Sequence, residues 1–215
     1  MMNLLRRIKL FIFRKVIFDR YLNLRKKSLS EKFSNNGLTI ISSNCISGCL
    51  YSDIGEEFNS PTVNCFFYAE CFIKFSDNIE QYLALELKEV SESKYIGAVN
   101  YPLGCVGDVE IHFLHYSNFA SAQKKWNDRV KRVNLNKICF IMTDRDGCTK
   151  EIAKSFLLNN VGNKIIFTTP MFSDEEINDG HIICSSENGS VISSNFTTFR
   201  KYEKYIDIVS WLNNV

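Results

Sequence analysis

The sequence predicts an α/β domain: an open, mainly parallel sheet with helices on both faces, preceded by a basic helix. Three observations predict it. The 215 residues have a globular composition, 45% hydrophobic and 23% charged, which excludes a disordered, collagen-like or coiled-coil chain. From residue 38 onward, short β-rich runs alternate with stretches at helical spacing, the pattern of Rossmann-like layers. Polar residues gather just after the apolar runs, where the carboxyl ends of parallel strands would lie. The organisation expected is a basic, membrane-surface helix over 1–34 and one α/β domain over 35–215.

Residues 3–27 hold no Pro or Gly, and Leu4, Ile8, Phe11, Ile12 and Leu22 form a rough stripe broken by Lys15 and Lys26. This predicts a helix. No charge-free run approaches the roughly 20 residues needed to span a bilayer. Nine of the 26 basic residues lie within 1–27, against one of the 24 acidic ones, so this arm is strongly basic and the body mildly acidic. Two readings stay open: a peripheral anchor on anionic headgroups, or a helix packed on the domain. An acidic body argues against nucleic acid as a partner.

Asn35-Asn36-Gly37 marks a turn, and Leu38 to Ser42 reads as the first strand. A short helix-like stretch follows to Gly55, then a loop at Asn59–Thr62. Cys71 to Leu85 has helical spacing. Tyr101-Pro102-Leu103-Gly104 and Gly107 read as turns. Asp108 to His115 alternates, with Val109, Ile111 and Phe113 on one face and Glu110 and His112 on the other. That predicts a strand near an edge with a polar face. Asn118 suits the cap of a helix over 119–133, whose core face is Ala122, Trp126 and Val130. Lys137 to Met142 is an apolar strand, 149–158 a helix, 164–168 and 181–184 strands. A last helix, near 202–213, is expected to bury Tyr205, Ile206, Val209 and Leu212.

The eight cysteines contain no CxxC pair, so zinc-ribbon spacing is absent. No stretch has the layout of a secretory leader. The expectation is a reducing, cytoplasmic compartment with free thiols. No Walker loop, GxGxxG, HExxH or GxSxG occurs, which excludes the NTPase, dinucleotide, zinc-protease and α/β-hydrolase signatures.

Of the strand-end residues, Cys45 is the sharpest. A thiol at a strand–helix turn meets backbone N–H groups and the positive helix end, which lower its pKa. The same N–H groups suit an oxyanion, with Asn44 orienting a carbonyl. A histidine in reach would complete a Cys/His acyl-transfer site, and His115, at a strand end, is the better base than His112. The competing reading makes Cys45 a buried structural thiol and the polar strand ends helix caps. Asp144-Arg145-Asp146 follows an apolar strand. Carboxylates so spaced suit Mg²⁺ or Mn²⁺ with a nucleotide sugar, and Arg145 suits a phosphate.

Six segments occur in order: Ile41-Ser42-Ser43-Asn44-Cys45, Asn59-Ser60-Pro61-Thr62, Tyr101-Pro102-Leu103-Gly104, Asp108 to Tyr116, Lys125-Trp126-Asn127-Asp128-Arg129 and Thr143-Asp144-Arg145-Asp146-Gly147-Cys148. Together, across about residues 36–170, they resemble a bacterial family of uncharacterised domains encoded in capsule and exopolysaccharide biosynthesis loci. The Asn-Cys element is also similar to capsule acetyltransferases. The resemblance implies cell-surface polysaccharide biosynthesis by acyl or sugar transfer.

The function expected is a sugar O-acyltransferase with acetyl-CoA as donor and a polysaccharide or lipid-linked glycan as acceptor. Cys45, His115 and Asn44 form its catalytic set; Asp144, Arg145, Asp146, Ser60 and His112 bind substrate, and no resident metal is expected. The alternatives are a Mg²⁺- or Mn²⁺-dependent glycosyltransferase and a non-catalytic assembly factor.

Overall fold

The structure is a computed structural model that describes Arg6 and residues 18–158, 162–172, 180–184 and 200–215. A four-stranded sheet forms its centre. Strands β1 (Thr39–Ser42), β7 (Ile138–Thr143), β8 (Asn163–Thr168) and β9 (His181–Ile183) lie side by side in that order, all parallel. Two smaller antiparallel sheets accompany it: β2 (Lys88–Glu89) with β5 (Leu103–Val106) and β6 (Val109–His112), and the hairpin β3 (Glu92–Ser93) with β4 (Gly97–Ala98). The helices are α1 (Asp19–Lys32), α2 (Ile46–Ile54), α3 (Ala69–Asp77), α4 (Ile79–Leu83), α5 (Phe119–Val130), α6 (Lys150–Leu158) and α7 (Ile208–Asn213).

Alternation along the central strands divides the core. Ile41, Phe140, Met142 and Ile166 face one side, against Phe72 and Phe75 of α3, Trp126 of α5 and Phe156 of α6. Ile40, Cys139, Ile141, Ile165 and Phe167 face the other, against Leu50, Tyr51 and Ile54 of α2 and Val209 and Leu212 of α7. A strand buried on both faces needs an unbroken apolar run, and β7 (Ile-Cys-Phe-Ile-Met-Thr) supplies one. The α/β class with a mainly parallel sheet, covered on both faces, is what the alternation of runs implied.

The outer border of β1 is closed by side chains. Its outward amides at Ile40 and Ser42 donate to Tyr51 Oη (2.8 Å) and Thr62 Oγ1 (3.1 Å), and Tyr51 Oη donates to the Leu38 carbonyl (3.0 Å). Tyr51→Phe would leave Ile40 N–H and Leu38 C=O buried without partners. The expected cost is about 1–3 kcal/mol, read as a lower urea midpoint with an unchanged denaturant slope. A midpoint within error of the parent would refute it.

Several elements differ from expectation for local reasons. The 71–85 helix is two helices, broken at Asn78 (φ −129°, ψ 40°). Leu103 and Gly104 belong to strand β5 rather than a turn. A Cβ at Gly104 would lie 2.9 Å from Phe119 Cε2 and 3.0 Å from the Lys88 carbonyl, so glycine there serves close packing. At the end of the chain, Tyr202 fills the core while Tyr205 is exposed, because a 3₁₀ turn over Lys201–Lys204 precedes a helix capped by Asp207.

Of the two readings left open for the arm, the part from Asp19 onward fits the second, a helix packed on the domain. Arg25, counted among its basic residues, is buried against Asp53 of α2 (2.7 Å), and also pairs with Glu203 and Tyr202. Asn213 accepts from Ser34 N and donates to the Lys32 carbonyl, both at 2.9 Å. Most of the stripe over 3–17 lies outside the described residues. Among the described residues, no helix is long and apolar enough to cross a membrane.

Candidate functional site

Because β1 pairs with β7, Ser42 opposite Ile141, the Asn44-Cys45 turn and the Asp144–Asp146 turn share the carboxyl rim of the parallel sheet. That juxtaposition was expected; its chemistry was not. Asn44 is consumed by the fold: its amide nitrogen donates to Thr143 Oγ1 (3.0 Å) and its oxygen accepts from Ile46 N (3.2 Å). Ser42 Oγ accepts from Ser47 N (3.0 Å) and donates to the Asn44 carbonyl (2.5 Å). The Ile46 and Ser47 amides at the start of α2 are therefore occupied, and both ends of the Asn44 side-chain amide are engaged within the fold.

Cys45 is half-buried, and burial pushes its thiol up to about 11; neighbouring Cys49 adds to this and Arg145 opposes it. The expected lowering by the helix end is outweighed by desolvation. The resting thiol is protonated at neutral pH.

Three more expectations change. His115 follows β6, which is not a strand of the parallel sheet. It is exposed and makes no hydrogen bond to Cys45. Ser60 is fully buried: its hydroxyl bonds Thr62 Oγ1 (3.0 Å), the group that closes the β1 border, so it supports the strand rather than a ligand. Asp144 accepts from Thr169 N through Oδ2 (2.5 Å), while its buried Oδ1 has no hydrogen-bond partner among the described residues. Among the described residues, no group of three or more His, Cys, Asp or Glu gathers; Asp144 and Asp146 share the rim turn as a pair.

The better-built arrangement is on β6. Strand alternation puts Glu110 and His112 on one face, and that face is buried, not solvated as an edge strand would leave it. Glu110 is 6% exposed and His112 0%. His112 Nε2 lies 2.8 Å from Glu110 Oε1, and His112 Nδ1 lies 3.1 Å from Tyr101 Oη. Glu110 also accepts from Ser93 Oγ (2.5 Å) and Lys94 N (2.9 Å), both on the β3–β4 hairpin. An ionised carboxylate only accepts, so Nε2 carries the imidazole proton and Nδ1 accepts from the Tyr101 hydroxyl. Burial lowers the His112 pKa, with Glu110 opposing, which keeps the ring neutral at pH 7. The chain of bonds runs from Ser93 and Lys94 through Glu110 and His112 to Tyr101, which is half-buried.

Aromatic rings wall this chain. Phe66 stacks on the imidazole (4.3 Å, 20°), its backbone bridging His112 in both directions at 2.9 Å. Tyr68 stacks on Tyr95 (3.9 Å, 16°). The rim turn reaches this wall, since the Asp146 carbonyl accepts from Ala69 N (2.9 Å) at the start of α3. Burial raises the Tyr68 and Tyr101 phenols, and the charges of Asp146 and Glu110 raise both further, so they remain protonated at neutral pH. Asp146 is itself raised by burial, with Arg145 opposing.

Of the residues expected at the site, then, Cys45 and Asp144–Asp146 share one rim, and His112 lies behind the wall that Asp146 touches. Tyr101, Ser93 and Tyr68 were missed, while Glu110 was noted only as a neighbour of His112. The Glu110-x-His112 spacing on a strand was the available signal, since it puts a carboxylate beside an imidazole.

Residues 17–213 match a family profile described as a domain of unknown function, DUF1919. The chain is also 33% identical, over 191 residues, to an uncharacterized protein of Haemophilus influenzae; the match covers 87% of this chain and 90% of that one. With nearly its whole length matched, the chain belongs to the DUF1919 domain family.

Proposed function

We propose that this protein transfers an acetyl group from acetyl-CoA to a sugar hydroxyl during assembly of a capsule or exopolysaccharide at the cytoplasmic face of the membrane. The Glu110–His112–Tyr101 chain carries the reading. It is a carboxylate-held neutral imidazole whose free nitrogen meets a half-buried hydroxyl, which is the wiring of a general base. The resemblance to capsule and exopolysaccharide domains supplies the substrate class. Residues ahead of Asp19, rich in Lys and Arg, would meet the membrane that carries a lipid-linked acceptor.

In this mechanism Tyr101 Oη takes the proton of the sugar hydroxyl as its own proton passes to His112 Nδ1. Glu110 stabilises the imidazolium that forms. The sugar oxygen attacks the thioester carbonyl, the C–S bond breaks, and the leaving CoA thiolate recovers the proton through Tyr101. Transfer is direct, so Cys45 need not become acylated, in keeping with its protonated resting thiol. Arg145, exposed on the rim, is the cation for the CoA phosphates.

The experiment is incubation of the purified protein with acetyl-CoA and capsule or exopolysaccharide glycan, with O-acetylated product read by mass spectrometry. Acetylated glycan with release of one CoA per acetyl group is expected. No product, and no binding of acetyl-CoA, would refute the proposal in favour of the assembly-factor reading.

A further inference from the structure

The wall around Tyr101 also bears on which sugar it would take, an inference that rests on the sugar-modifying reading for the nature of its ligand. Tyr68 presents a half-buried ring backed by Tyr95, and Tyr101 presents its hydroxyl close by, both inside the reach of the same two carboxylates. The rim turn lies against Tyr68: a Cβ built at Gly147 would sit 3.7 Å from Tyr68 Cδ1, an ordinary contact distance. Asp146, the residue before it, is half-buried with φ 55°.

Among the described residues, the charged groups that act on the two phenols are Asp146 and Glu110, not Lys94 or Arg145. Lys94 Nζ donates to the Asp108 carbonyl (3.1 Å) and lies 5.1 Å from the centre of the Tyr95 ring, and Arg145 is exposed and acts on Asp146 and Cys45. The space before Tyr68 and Tyr101 is therefore aromatic and negatively biased. A sugar's C–H face stacks on an aromatic ring, whose π face is electron-rich. A ligand carboxylate brought there would be partly desolvated and would face the charges of Asp146 and Glu110.

We infer that this site accepts a sugar ring without a carboxylate and rejects uronic acids, with Asp146 as the specificity-determining residue. Two probes that differ only at C6 separate the possibilities: methyl β-glucoside and methyl β-glucuronide. Their affinities for the full chain at pH 7 are read by saturation-transfer NMR.

The glucoside is expected to bind at least roughly tenfold more tightly, which is about 1.4 kcal/mol of discrimination. Asp146→Asn should narrow the gap to roughly threefold or less. Asparagine is the suitable replacement because it tolerates a left-handed backbone. Equal or tighter binding of the glucuronide, failure of both to bind, or a gap untouched by Asp146→Asn would each overturn the inference. The two proposals fail separately. Discrimination in binding without acetyl transfer sinks the transferase and leaves the specificity. Acetyl transfer that prefers a uronate acceptor sinks the specificity and leaves the transferase.

Discussion

Asp53→Asn is expected to lower the unfolding free energy by about 3–5 kcal/mol. Asp53 is fully buried and serves two guanidinium groups: Arg25 Nη1 at 2.7 Å, and Arg200 through Nε at 2.6 Å and Nη2 at 3.1 Å. Both arginine side chains are almost as buried, at 7% and 8% exposure. Asparagine keeps the shape and removes the charge. Both buried guanidinium groups then lose the carboxylate they share, and Arg25 keeps Glu203, which is 36% exposed.

A domain of this size has only about 5–15 kcal/mol to lose. The melting temperature should fall by roughly 6–20 °C, and the loss should change little with salt, because buried pairs are poorly screened. The cluster joins α1, α2 and the segment entering the 3₁₀ turn, so protease cleavage between residues 19 and 32 should also accelerate. A drop under about 1 kcal/mol would mean that Asp53 is not the keystone its contacts suggest.

Tyr101→Phe is expected to reduce acetyl transfer by roughly 10²–10⁴-fold, the usual size of general-base catalysis. It removes one oxygen from a half-buried residue, so stability should fall by only about 1 kcal/mol. That separation of rate from stability distinguishes a proton-handling role from a structural one.

Glu110→Gln provides a second readout. Burial already holds the His112 pKa below the ordinary 6.5, and Glu110 works against it. Without that charge the pKa moves lower still, and the acid limb of the pH–rate profile should move with it. The sign for stability follows from the same depression. Below about pH 6.5 the unfolded chain binds a proton at this histidine more readily than the folded one. The contribution of a neutral His112 is thus fully present above that value and is lost as the pH falls toward the folded-state pKa. Imidazole resonances followed by NMR against pH would show this; an unshifted His112 in Glu110→Gln would refute the coupling.

The elements most legible in sequence were those with a long apolar run or a capped helical period. The strand at 138–143 was expected over 137–142, the 119–130 helix with its Asn118 cap over 119–133, and the strand at 39–42 over 38–42. The stretch from Lys88 to Ala98 was not. Its strands are two residues long and polar, and their order comes from Glu110, a residue distant in sequence. The strand at 109–112 was found but misjudged, because a buried face of Glu and His has the same alternation as a solvated one. Only partners brought from elsewhere, Tyr101 and Ser93, tell the two apart. The rim at Asn44 and Asp144 was legible because parallel topology dictates it. The occupancy of its hydrogen bonds was not, since Ser42 and Thr143 look like ordinary caps in sequence.

The closed border of the first strand has a consequence for how copies of this chain can meet. A bare strand is a template on which a second molecule can lay its own backbone, the first step of runaway association. Here the tyrosine of the neighbouring helix and a threonine from the following loop already take the positions such a visitor would need. Any assembly of identical copies would have to form on another surface, and crowding alone should not seed fibres from this side.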